Sequence, residues 1–181
     1  TWYGARIGGE MMERHGGRAY IIMDKKLWRQ SLKDAFGEGV LSFQRDITLI
    51  NGLIGAVKAP TSDALARKMG FTPEIFEESL TSYNRAARGE TPDEFHKAAD
   101  EMAPLIEGPF YAVDASVDAK LFPLSCMTVG GLVVDERTGA VKSVSGSVIP
   151  GLYAAGRNAV GMCSNLYVSG LSYADCVYSG R

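Results

Sequence analysis

Tyr167 and Ser169 stand two residues apart just ahead of Gly170. In extended backbone, side chains at i and i+2 point to the same side, so both hydroxyls can act on one small region of a bound molecule. A phenol and an alcohol can donate to a carbonyl, and a phenol can also carry a proton. A free tyrosine has a pKa of about 10, so a tyrosine base needs a lowered pKa or a relay. The following stretch, Leu171-Ser172-Tyr173-Ala174-Asp175, reads as the first turn of a helix. Its free N–H groups and positive end favour a phenolate, and they equally suit an anion or a developing negative charge on a ligand. A plainer reading stands beside this one: Ser169 as the helix N-cap and Tyr167 as a packing residue.

Placing these groups requires glycine-rich strand exits. Pro150-Gly151 reads as a turn, Leu152 to Ala155 as a short buried strand, and Gly156 as the point where the backbone leaves it with no side chain in the way. Arg157 follows, with a ligand phosphate or a surface ion pair as its alternatives. Upstream, residues 128–135, the turn Glu136-Arg137-Thr138-Gly139 and residues 140–144 form an expected β-hairpin. Gly130-Gly131 leaves the backbone bare at its start, which suits either a flat ligand or a bulge.

A chain of 181 residues with 46% hydrophobic and 22% charged residues can build a core of domain size. Its net charge of −2 gives no overall basic field for nucleic acid or an anionic membrane. No apolar run is long enough to span a bilayer, and the expected setting is cytoplasmic. Cys126, Cys163 and Cys176 lack C-x-x-C spacing, which argues against a zinc site or disulfide framework. His15 and His96 lie in polar surroundings and read as surface residues, so no metal is expected.

In chain order, Ala19 to Asp24 reads as a strand ending on a capping aspartate, and Lys25 to Phe36 as an amphipathic helix stopped by Gly37. Leu53 to Lys58 is an expected strand. Ser62 to Met69 is a helix ended by Gly70, and Thr72-Pro73 opens another through Arg88. Thr91-Pro92-Asp93-Glu94 repeats that device with a capping-box glutamate. Gly108 to Val113 reads as a strand returning to the main body.

Taken together, Thr128-Val129-Gly130-Gly131-Leu132, Ile149-Pro150-Gly151-Leu152-Tyr153-Ala154-Ala155-Gly156 and the helix start from Gly170 to Asp175 resemble the C-terminal flavin-binding segment of the fumarate reductase/succinate dehydrogenase flavoprotein superfamily. The Tyr167-x-Ser169-Gly170 signature is most similar to that of 4-ene-forming 3-ketosteroid dehydrogenases. The resemblance implies an α+β flavoprotein fold, with residues 1–107 as a partial substrate-binding or cap lobe and 108–181 as the C-terminal part of a Rossmann-like FAD-binding domain. It implies FAD held by Gly130, Gly131, Gly156, Arg157, Gly170, Leu171 and Ser172. Tyr167 and Ser169 become the catalytic pair serving a ketone and the adjacent proton, with a steroid-like substrate and an external electron acceptor as partners.

Where fumarate reductases carry a substrate-binding arginine this chain has Tyr167, and where they carry a histidine before Thr-x-Gly-Gly it has Met127. Both departures replace cationic donors with neutral groups, so a neutral, hydrophobic ketone is expected rather than a dicarboxylate. No G-x-G-x-x-G turn follows an N-terminal strand, so the chain reads as the C-terminal part of a larger enzyme, inactive by itself. Two alternatives remain: a fumarate-reductase-like enzyme of altered specificity, and a lobe with a structural or binding role.

Overall fold

The computed structural model describes residues 2–121, 130–160, 168 and 170–180, with side chains from residue 6 onward. The helices are α1 (Trp2–His15), α2 (Lys25–Asp34), α3 (Ser42–Ile50), α4 (Ser62–Met69), α5 (Pro73–Ala87) and α6 (Leu171–Ser179). The strands are β1 (Tyr20–Met23), β2 (Val57–Ala59), β3 (Phe110–Asp114), β4 (Ala140–Lys142) and β5 (Val148–Tyr153). This is the mixed helix-and-strand class expected. The chain divides into two compact units, residues 18–124 and residues 1–17 with 125–181.

In the first unit a three-stranded antiparallel sheet has the order β1-β3-β2. Tyr20 pairs with Asp114 and Met23 with Tyr111 on one side of β3, and Val57 with Ala112 on the other. The sequence of β3 explains its central place: Phe110, Tyr111, Ala112 and Val113 are all buried, so both faces of the strand are covered. Phe110 and Ala112 join Ala59, Leu65, Leu80 and Leu105 in one cluster. Tyr111 and Val113 join Met23 in another, where Trp28 of α2 stacks on Tyr111 at 4.5 Å with planes 3° apart.

An expected boundary between 107 and 108 therefore does not coincide with the division of the units. A cut there would separate β3 from both of its hydrogen-bonded neighbours, and the division falls after residue 124 instead.

Polar side chains tie this unit's connections. Asp24 is buried; one carboxylate oxygen caps α2 by accepting from Leu27 N at 2.8 Å, and the other accepts from Ile106 N and Glu107 N. Asn84 of α5 exchanges two hydrogen bonds with the backbone of Leu105, at 2.7 and 2.9 Å. Replacing Asp24 by Ala leaves three donors without their acceptor and should cost about 1–3 kcal/mol per donor that water fails to reach. Urea unfolding of the full-length protein checks this: Asp24→Ala should lower the midpoint well below wild type, with Asp24→Asn between the two.

Several expectations hold at the level of caps. Asp24 caps α2, and Gly70 ends α4 in the left-handed region at φ 74°; the cap that opens α4, Thr61 accepting from Ala64 N, is added by the structure. Pro73 opens α5, although Thr72 makes no side-chain cap bond.

Other expectations are corrected. The segment expected as strand 53–58 begins instead as a π-helical turn, Asn51–Gly55, continuing α3, so β2 starts only at Val57. Gly52 fits against Leu32, and its carbonyl accepts from Trp28 Nε1 at 3.1 Å, holding that turn on α2. No helix opens at Thr91-Pro92. The Asp93 carboxylate accepts from Phe95 N and Lys97 N, His96 sits at φ 59°, and the segment folds as a turn. Pro150-Gly151 lies inside β5, with Gly151 at φ 77°, and the tight turn falls at residues 143–147, closed by Ser143 N to Ser147 O at 2.8 Å.

Among the described residues no helix is long and apolar enough to cross a membrane.

Candidate flavin-binding segment

The second unit carries the residues that sequence reasoning assigned to a cofactor. β4 and β5 pair antiparallel, with Ala140 opposite Tyr153 and Lys142 opposite Val148. The expected hairpin of 128–135 with 140–144 is present as a turn closed by a single bridge, Val134 to Val141. Its Thr128 and Val129 lie outside the described residues. Asp135 shapes that turn: one carboxylate oxygen accepts from Arg137 N, Thr138 N and Thr138 Oγ1, and Gly139 closes it at φ 70°. The Arg137 N–H, then Thr138 and Lys142, hold the Asp135 carboxyl below its usual range.

Gly131 and Gly156 are glycines for reasons internal to the chain. Leu132 pairs in parallel with Ala159, donating to Asn158 O at 2.9 Å and accepting from Val160 N at 2.9 Å. A Cβ at Gly131 would lie 2.5 Å from the Asn158 carbonyl. Gly156 opens the short 3₁₀ turn Gly156–Asn158 at φ 60°, and a Cβ there would run into Cys176 Sγ of α6. The two contacts knit Gly130-Gly131, Gly156-Arg157 and α6 into one continuous patch. Arg157 is exposed on it.

Gly156→Ala therefore tests packing apart from cofactor contact. It should lower the melting temperature of the full-length protein, by the equivalent of about 1–3 kcal/mol of overpacking, with part of the loss restored when Cys176→Ala removes the thiol it strikes. Equal melting temperatures for wild type and Gly156→Ala would refute the contact.

Gly130 and Gly170 differ from that pair. A Cβ at either would meet nothing within 4 Å, and both are exposed. Gly170 is the N-cap of α6 at φ 85°, and no side chain caps the helix. Leu171 N donates to Val168 O, while Tyr173 N and Ala174 N turn back to Gly170 O. Ser172 is buried under this first turn, as is Asp175, which accepts from Ser179 Oγ at 3.0 Å. Tyr167, Ser169 and Met127 lie outside the described residues.

Among the described residues, bare backbone at Gly130 and a helix N-terminus at Gly170 that no side chain caps fit a flat ring system that develops negative charge along one edge. This bears on which group the patch could hold. Residues 3–170 match the family model described as FAD binding domain. The chain belongs to that family. Its cofactor is FAD.

The relatives narrow the setting. A 3-oxo-5-alpha-steroid 4-dehydrogenase from Comamonas testosteroni is 38% identical over 85% of this chain, which spans 29% of that protein. A fumarate reductase from Schizosaccharomyces pombe is 32% identical over 97% of this chain, which spans 30% of it. Among solved structures, a 3-ketosteroid-delta4-(5alpha)-dehydrogenase from Rhodococcus jostii RHA1, in complex with 4-androstene-3,17-dione, superposes with a TM-score of 0.71. It is 28% identical, and the match covers 97% of this chain and 33% of that one. The chain thus spans about a third of the length of the proteins it resembles.

Of the predicted site residues, the structure brings Gly130, Gly131, Gly156 and Arg157 together with α6. The reason for glycine at 131 and 156 was not legible in sequence, because Asn158 and Cys176 reach them only through the fold.

Proposed function

We propose that this chain is the C-terminal flavin-binding and substrate-lobe portion of an FAD-dependent dehydrogenase that desaturates a 3-ketosteroid or a similar apolar ketone. The observation that carries the reading is the joint one of family and sequence: an FAD-binding chain, 38% identical to a steroid 4-dehydrogenase, with neutral Tyr167 and Met127 where the resemblance to fumarate reductases implies cationic side chains. When bound, FAD supplies the acceptor for the hydride.

The rest falls to this chain. Backbone at Gly130 and the first turn of α6, at Gly170 and Ser172, would hold the ring edge, the helix N-terminus favouring negative charge there, while Leu171, whose N–H donates to Val168 O, would line it. Gly131, Gly156 and Arg157 would shape the neighbouring backbone. Tyr167 would move the proton on the carbon beside the ketone, its phenol made more acidic by the same helix end, while Ser169 donates to the ketone oxygen. Residues 18–124 would serve as the substrate lobe, in the expected cytoplasmic enzyme with an external electron acceptor.

Anaerobic mixing of the flavin-loaded, full-length protein with a saturated 3-ketosteroid tests this. Loss of the oxidised flavin absorbance together with appearance of the enone chromophore is expected, and a flavin that stays oxidised would overturn the proposal. The match to a fumarate reductase over 97% of the chain favours a second reading, a reductase of altered specificity. For that reading, reduced flavin would be reoxidised by an activated alkene while the ketosteroid bleached nothing.

A further inference from the structure

We draw no further inference here: the strongest candidate, the cavity of about 620 Å³ between the turn at residues 135–139 and the C-terminal half of α6, carries nothing, because its buried carboxylate, Asp175, is engaged by Ser179 Oγ and nothing in the structure shows what fills it.

Discussion

Tyr167→Phe in the full-length enzyme is expected to lower kcat about 100- to 10,000-fold, the usual contribution of a positioned acid or base, while shifting the steroid dissociation constant little. The change removes one hydroxyl and keeps the ring that would lie against an apolar substrate, so ground-state binding survives and the proton's acceptor does not. A residue acting only in binding would show the opposite division, a raised KM at nearly unchanged kcat. The pH profile gives a second readout. If the phenol is the base, kcat rises as it ionises, and a positive helix N-terminus beside it would bring that rise below the free tyrosine value of about 10. The Phe variant should lose that limb. Ser169→Ala should cost less, since it removes one hydrogen bond to the ketone and leaves the proton's acceptor, and it should leave the pH limb in place.

What could be read from residue order divides by range. Caps and stops were legible because their causes are local: Asp24 bonds three residues ahead, and Gly70 needs only its own left-handed φ. β3 was legible as a strand, but its role as the central strand was not. That role depends on β1 and β2, which are far away in sequence. The failure at Thr91-Pro92 has the reverse character. The cap residues are all present, yet the Asp93 carboxylate satisfies Phe95 and Lys97 in a turn. At the expected flavin segment the sequence marked four glycines as special without distinguishing their causes. Gly131 and Gly156 make room for this chain's own Asn158 and Cys176, whereas Gly130 and Gly170 stay open. Among the described residues of this segment, the second pair has the bare backbone left to offer a ligand.

The substrate is where the reading is most exposed to test. Small dicarboxylates are held by paired cationic forks, and two positions that would carry them read Tyr167 and Met127. A dianion entering such a site gives up its hydration and meets neutral groups. Each charge-assisted hydrogen bond is worth about 1.5–3 kcal/mol, so losing two weakens affinity by roughly two to four decades. A rigid apolar ketone forfeits nothing comparable, because its one polar atom needs a neutral donor, which Ser169 or Tyr167 can supply, and the rest of it gains by leaving water. Saturated 3-ketosteroids should therefore bleach the flavin rapidly under anaerobic conditions, and succinate at the same concentration should bleach it negligibly. Tyr167→Arg with Met127→His provides the converse, restoring succinate binding at the expense of the steroid if these positions set the choice. Equal bleaching by both substrates in the wild-type protein would mean that the cations needed for a dicarboxylate come from elsewhere, and that the Tyr-x-Ser pair does not define the substrate.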